Sequence, residues 1–351
     1  MLITFFKVFA PITLSFFVGI AIAPLLTNYL YRHKLWKRRA GKVDPSGNAT
    51  PIFNKLHEHK ETGTPRMGGV IIWASTLITV AALVLASIFL PGDLWDRLNF
   101  LSRGQTWIPF VTLIFGSLVG LIDDWLEVRG TGRYASGGLP FKQRLIIVLG
   151  IALAIGLWFF WKLEVQTLFV PFVGEIFVGW WLVPIFMAVI AALFSSGVID
   201  GLDGLAGGVM AIIFATYTAL AFFENQIDLA ALTASITGAT LAFLWFNIPP
   251  ARFYMSETGI MGLTLTLGVV AFLTNSVLLL PLLAFPLFAT VLGNVIQLGS
   301  KKLRGKKVFL VAPIHHHFEA IGWPAYKVVM RYWVIGIITA ILGLIITLIG
   351  R

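Results

Sequence analysis

Five acidic residues lie in three glycine-flanked stretches of an otherwise apolar chain. Asp123 and Asp124 are adjacent in GLIDDWLEVRG, Asp200 and Asp203 lie three residues apart in SSGVIDGLDGLAGG, and Glu257 lies in RFYMSETGIMG. A carboxylate costs about 2.5–3.5 kcal/mol at the centre of a membrane helix on the insertion scale. Gathered carboxylates repel one another, a conflict that a divalent cation removes, and Mg²⁺ prefers one or two carboxylates plus substrate phosphate oxygens. The pattern predicts a metal-assisted site for a phosphate-bearing substrate, with solvated helix caps as the alternative.

Glycines and histidines accompany these acids. Glycine-rich stretches such as GTPRMGG (63–69) allow backbone to approach a ligand, and helix N-termini bind phosphate, although in membrane helices glycine more often serves close packing. His315, His316 and His317 are consecutive in APIHHHFEAIGW. Neighbouring side chains diverge, and no matching set of zinc ligands is evident in the sequence. We therefore expect the imidazoles to meet a phosphate or diphosphate, with a purely structural loop as the alternative.

The segments that must position these residues are long enough to cross a bilayer. The chain is 58% hydrophobic and 12% charged, and apolar runs of about 20 residues recur along its length. Ten spans are predicted, at 3–28, 68–90, 107–125, 144–163, 178–196, 204–223, 229–247, 259–275, 277–298 and 328–349. The sequence thus predicts an all-α integral membrane protein with about ten transmembrane helices, forming a single domain over 1–351.

The distribution of basic residues predicts the orientation. Of 26 lysines and arginines, 21 lie in or beside the connections 29–67, 126–143, 248–258 and 299–327, which share one side of the membrane. Because Lys and Arg concentrate in cytoplasmic loops, we expect both termini on the extracytoplasmic side and the acids on the cytoplasmic face. The net charge of +10 then reflects topology, so no nucleic-acid partner is expected. At most one member of the adjacent pair Asp123 and Asp124 is expected to point into a shared site.

Five stretches in a fixed order carry a resemblance: GTPRMGG (63–69), LIDDW (121–125), DGLDGLAGG (200–208), FLWFNIPPARFYMSETG (243–259) and APIHHHFEAIGW (312–323). In them the chain resembles the polyprenyl-phosphate N-acetylhexosamine-1-phosphate transferases. HHHFE most resembles the branch whose donor is UDP-MurNAc-pentapeptide. The resemblance implies transfer of phospho-N-acetylmuramoyl-pentapeptide to undecaprenyl phosphate, giving lipid I and UMP. It also implies a multi-pass protein of the bacterial inner membrane, Mg²⁺ as cofactor, contact with membrane lipids and a homodimer.

The resemblance also implies roles for individual residues. It assigns catalysis to Asp123, Asp124, Asp200 and Asp203. We expect Mg²⁺ to be held chiefly by Asp203, with Glu257 as a second candidate. Substrate binding is expected at Asn247, His315, His316, His317, Lys142, Arg144, Arg129, Lys60 and Thr64.

Five positions depart from the pattern of these relatives. Gly197 stands where they usually have Asn, and Glu257 where they have Asp. Glu127 and Glu61 stand where they have Lys, and Arg66 where they commonly have Thr. The departures touch substrate contacts more than the aspartates.

Three alternatives to this function stay open. A related enzyme would transfer a UDP-N-acetylhexosamine donor, and a catalytically silent paralogue would act as a scaffold. A proton- or cation-coupled transporter would place its acids near mid-membrane and release no UMP.

Overall fold

The computed structural model describes residues 2–37, 62–102, 104–130 and 138–351, and this part of the chain is mostly helical. In chain order its helices are α1 (Leu2–Arg32), α2 (Val70–Phe89), α3 (Asp93–Leu98), α4 (Gly104–Arg129), α5 (Phe141–Trp161), α6 (Leu182–Ser195), α7 (Leu205–Phe223), α8 (Ile227–Asn247), α9 (Ser256–Leu273), α10 (Leu280–Leu283), α11 (Phe285–Arg304), α12 (Ile314–Ala320) and α13 (Ala325–Ile349). Short 3₁₀ turns lie at Phe100–Ser102, Gly179–Trp181, Ser196–Ile199 and Val277–Leu279.

The prediction of an all-α membrane protein with about ten spans is confirmed. Within the described ranges, nine helices are long and apolar enough to cross a membrane, and the number is ten if Val277–Leu283 and Phe285–Arg304, with a bend of 88° between them, form one span. The sequence predicted one continuous segment at 277–298. Pro286 lies in the first turn of α11, where its missing N–H costs no hydrogen bond, so a new helix begins there instead of continuing the old one.

One small sheet interrupts the helical pattern. Strands β1 (Thr167–Val170) and β2 (Gly174–Phe177) form an antiparallel hairpin in which Thr167 pairs with Phe177. The hairpin was not predicted, because its apolar residues are too few to be separated from the flanking spans by periodicity alone.

The centre of the bundle is formed by α7, α8 and α9. The fractions of their most apolar windows that are buried are 72%, 83% and 89%, whereas those of α1, α5 and α13 are 22–28%. The outer helices therefore present most of their apolar surface to the surroundings, as lipid-facing helices do. The functional residues described next lie at the ends of the central helices.

A glycine sets the distance between α4 and α9. A Cβ atom built on Gly120 would lie 2.1 Å from the carbonyl oxygen of Glu257, so no other residue fits at this position without moving the helices apart. Small residues allow this close approach of membrane helices. As a result, the last turns of α4 lie directly beside the first turn of α9, and their polar residues meet.

Candidate functional site

The acids Asp123, Asp124, Asp200, Asp203 and Glu257 all lie at one end of the bundle, which we call the acidic end. There α4 and α8 end, α7 and α9 begin, and the connection 248–255 joins α8 to α9. This is the end that the distribution of basic residues predicts to face the cytoplasm.

Asp124 holds the beginning of α9. Its side chain is fully buried and accepts hydrogen bonds from the backbone N–H of Glu257 (3.3 Å), the backbone N–H of Thr258 (2.9 Å) and the Thr258 hydroxyl (2.6 Å). The first N–H groups of a helix have no partner within the helix, and a carboxyl there also interacts favourably with the helix dipole. Asp124 therefore positions α9, and its neighbour in the sequence points elsewhere.

Asp123 faces Arg144 and, through it, Glu257. Nη1 of Arg144 lies 3.1 Å from Oδ2 of Asp123 and also contacts Oε1 of Glu257. The backbone N–H of Leu139 donates a second hydrogen bond to Asp123, at 2.5 Å. Three helices, α4, α5 and α9, thus bring two carboxylates and one guanidinium to a single point.

Asp200 and Asp203 hold the connection between α8 and α9. Asp200 accepts a hydrogen bond from the backbone N–H of Ser256 (2.7 Å), and Asp203 accepts one from that of Ala251 (3.2 Å). Both aspartates are partly accessible, and they flank the turn that leads into α7. The turn with these two aspartates therefore fixes the connection 248–255 from one side, and Asp124 fixes the beginning of α9, where the connection ends.

Asn247 ties the end of α8 to the same turn. Its side-chain oxygen accepts a hydrogen bond from the backbone N–H of Gly204 (2.9 Å), and its Nδ2 donates one to the carbonyl of Phe253 (2.9 Å). Gly204 has φ of +80°, a left-handed conformation that glycine adopts without strain, and the helix α7 begins at the next residue. In the described structure Asn247, predicted to bind substrate, thus links the end of α8 to the beginning of α7 and to the connection 248–255.

Two of the three histidines pack against the turn between the aspartates. His315 and His316 are buried, and a Cβ atom built on Gly201 would lie 2.6 Å from Nε2 of the first and 2.8 Å from Nε2 of the second. The Nδ1 atom of His316 lies 2.8 Å from Oε2 of Glu319. The ring nitrogens therefore border the glycine turn, where a phosphate would find both imidazoles and the N-terminus of α7.

The remaining predicted binding residues lie around this centre. His317 accepts a hydrogen bond from the backbone N–H of Leu310 (3.3 Å), apart from the other two histidines. Arg129 stacks on the ring of Trp125, with its guanidinium carbon 4.4 Å from the ring centroid. The other members of the set are Lys142, which is exposed, Thr64, which is half-buried, and Lys60, which lies outside the described residues.

The stretch GTPRMGG packs on the connection 248–255 from a third direction. The backbone N–H of Gly68 donates to the carbonyl of Tyr254 (2.8 Å), and Arg66 forms an ion pair with Glu127 at the end of α4. Both members of this ion pair stand where the resembling family usually has another residue.

The donor set at the acidic end suits Mg²⁺. Asp123 and Glu257 converge on one cationic nitrogen, and two carboxylates completed by substrate phosphate oxygens are what Mg²⁺ prefers. Within the described ranges, no group of three or more His, Asp or Glu side chains is arranged to enclose a metal by itself. Asp203 contacts the Ala251 amide, and the assignment of Mg²⁺ chiefly to Asp203 stays a prediction.

Two residues of the site were not singled out individually from the sequence. Thr258 contributes two of the three donors to Asp124, and Glu319 contacts His316. Gly201 is one of the glycines that the sequence places beside the acids, but its contact with the histidine rings was not predicted. The sequence could have indicated Glu319, because it stands three residues after His316 on a short helix, a spacing at which side chains meet. The close approach at Gly201 depends on contacts between segments more than 100 residues apart, which the sequence does not display.

Comparison with known proteins gives matches along almost the whole chain. Residues 106–275 match the family described as glycosyl transferase family 4. The phospho-N-acetylmuramoyl-pentapeptide-transferase of Chloroflexus aurantiacus is 31% identical over 95% of this chain and 88% of its own length. The proteins of that name from Bacillus pumilus and Shouchella clausii are 30% and 33% identical, over 95% of this chain and 96% and 95% of their own lengths.

Proposed function

Because this chain belongs to the phospho-N-acetylmuramoyl-pentapeptide-transferase family, within glycosyl transferase family 4, we propose that it transfers phospho-N-acetylmuramoyl-pentapeptide from the UDP-linked donor to undecaprenyl phosphate. The products are lipid I and UMP, and the reaction is the first membrane step of peptidoglycan synthesis. We place the protein in the bacterial inner membrane, where the lipid acceptor reaches the acidic end from the hydrocarbon and the nucleotide donor from the cytoplasm.

One observation carries this proposal: two clusters of residues that can bind phosphate or its metal ion lie on either side of the connection 248–255. On one side lie Asp123, Arg144 and Glu257, with the charges that a cation and a phosphate need. On the other lie the aspartate turn and the histidine pair at the N-terminus of α7. We infer that a diphosphate contacts both sides, as expected of a UDP-linked substrate.

The reaction joins the acceptor to the β-phosphorus of the donor. An oxygen of the lipid phosphate forms a bond to that phosphorus, and the bond from the phosphorus to the bridging oxygen breaks, so UMP leaves with the electron pair. When bound, Mg²⁺ would neutralise charge that develops on the diphosphate oxygens. Catalysis of this kind consists mainly of positioning and charge stabilisation, which fits a site built largely from residues that fix one connection.

The contacts of the adjacent acids distinguish their roles. Asp124 is engaged by three donors of α9, whereas Asp123 shares its guanidinium with Glu257. We therefore assign proton acceptance from the lipid phosphate to Asp123. The contribution is modest, because the second pKa of a phosphate monoester is about 6. A two-step route, with an aspartate as nucleophile, would release one equivalent of UMP before any lipid acceptor is added.

The identity of the lipid product tests the proposal. The purified protein would be given undecaprenyl phosphate and equal concentrations of UDP-MurNAc-pentapeptide and UDP-N-acetylglucosamine, and the lipid products would be separated by mass. We expect the muramoyl-pentapeptide product from the natural protein and none from Asp203→Asn. A product carrying only N-acetylglucosamine would move the chain to the related transferases. The absence of any product, from protein shown to be folded, would favour a silent paralogue.

A further inference from the structure

Arg144 lies where three elements of the site meet. It stands in the first turn of α5 and reaches the end of α4 and the beginning of α9, where it contacts Asp123 and Glu257. The exposed fractions of the three side chains are 20% for the arginine, 3% for Asp123 and 28% for Glu257. The guanidinium thus separates one deeply buried carboxylate from one that the surroundings reach.

The contact is not the arrangement that holds arginine most firmly. Both carboxylates contact the same atom, Nη1, whereas a strong arginine–carboxylate pair uses two parallel N–H groups. In the described part of the structure, Nε of Arg144 is buried and has no hydrogen-bond partner. A buried donor without a partner costs free energy. The guanidinium therefore has one unsatisfied donor, which a phosphate would satisfy.

The charges at this point change sign when a divalent cation is added. With both carboxylates ionised, the cluster carries a net charge of −1, because arginine does not lose its proton in proteins. A diphosphate would be repelled by that cluster. A divalent ion between the carboxylates changes the net charge to about +1 and leaves the guanidinium without its partners.

From this geometry we propose that Arg144 is an internal counter-cation for the metal site. In the substrate-free protein it holds Asp123 and Glu257 together at the position that a divalent cation takes, and it turns to the substrate diphosphate when the cation displaces it. The exchange makes metal and nucleotide binding cooperative: the cation takes the two carboxylates from Arg144, and the diphosphate takes the guanidinium that is thereby released. The role of the diphosphate in this inference rests on the proposed function, whereas the competition with the metal does not.

Binding of Mn²⁺ to the purified protein tests the competition without any turnover. Free Mn²⁺ would be measured by electron paramagnetic resonance, with neither lipid acceptor nor nucleotide present. We expect Arg144→Gln to bind Mn²⁺ at least tenfold more tightly than the natural protein. Arg252→Gln, which removes the same charge from the connection 248–255, should stay within about twofold. Equal or weaker binding by Arg144→Gln would overturn the proposal.

Two further measurements keep the test decisive. If Arg144→Gln does not fold, Arg144→Met keeps the length of the stem without the charge and should show the same tightening. UDP should increase the Mn²⁺ affinity of the natural protein more than that of the variant, since the variant has no guanidinium to transfer. An equal increase in both would contradict the exchange. A protein that releases no UMP can still meet these expectations, so failure of the proposed function is distinguished from failure of this inference.

Discussion

The substitution Asp124→Asn should destabilise the protein as well as inactivate it. The buried carboxyl accepts from two backbone N–H groups and one hydroxyl at the beginning of α9. An asparagine keeps one acceptor oxygen and places an NH₂ group where the second oxygen was. With its oxygen at the Oδ2 position the asparagine keeps both Thr258 donors, but its NH₂ group then faces the Glu257 backbone N–H, which has no acceptor.

The expected cost is that of one buried donor without a partner, about 1–3 kcal/mol. Because 1 kcal/mol corresponds to roughly 2–4 °C in chains of 150–250 residues and to less in longer ones, the unfolding midpoint should fall by about 3 °C. Activity should be lost as well, because Glu257 moves with the first turn of α9. Asp123→Asn keeps an acceptor for the Leu139 N–H and should lose activity with a smaller change in the midpoint.

The midpoint would be measured for both variants by thermal unfolding in detergent, followed by size-exclusion chromatography. Thr258→Val is the matched partner, because it removes the 2.6 Å hydroxyl contact to the same carboxyl and keeps the side-chain shape. In the double variant the two effects should be non-additive by about 1 kcal/mol, as for residues in direct contact. An unchanged midpoint in Asp124→Asn, or strictly additive effects, would refute the assignment of this aspartate to the start of α9.

Three further predictions follow from other contacts. Gly201→Ala should reduce turnover at least tenfold, because its Cβ would lie 2.6–2.8 Å from two imidazole nitrogens. Gly197→Ala, whose Cβ would have its nearest contact at 3.5 Å, should retain activity, and similar losses in both variants would contradict the role of the close contact at Gly201. Arg66→Gln and Glu127→Gln should each lower the free energy of unfolding by about 1 kcal/mol. The double variant Arg66→Glu, Glu127→Arg should restore most of that loss, and a double variant no more stable than either single variant would argue against the ion pair. Burial raises the pKa of Glu224, at the opposite end of the bundle, to about 7. Ionisation of this carboxyl therefore opposes folding, so the stability of the protein should fall as the pH rises from about 4.5 through 7, and Glu224→Gln should remove this dependence. If Glu224→Gln instead loses more stability at pH 8 than at pH 5, the ion pair of Glu224 with Arg351 dominates.

The helices were predictable because each had to satisfy its backbone within the membrane. Apolar runs of the required length gave the spans, and the residues that interrupt them gave the ends. The bend before α11 was not predicted, since Pro281 and Pro286 were equally compatible with one kinked helix and with two helices. The choice between them depends on how α11 packs on its neighbours, which periodicity does not encode.

The candidate site was predictable in its members more than in their contacts. Because Asp123 and Asp124 are consecutive residues of one helix, the sequence indicated that only one would point into a shared site, but not which one. The close approach at Gly120 decides this, because it brings the Thr258 amide to the second aspartate. The sequence placed Arg144 among residues that bind phosphate, and only the structure brings it to two carboxylates.

Release of UMP by the purified protein is the most direct test of the account. Undecaprenyl phosphate and UDP-MurNAc-pentapeptide would be supplied together, with and without Mg²⁺, to the natural protein and to Asp203→Asn. We expect release that requires Mg²⁺ and is lost in the variant. No release from folded natural protein, or equal release by the variant, would contradict it.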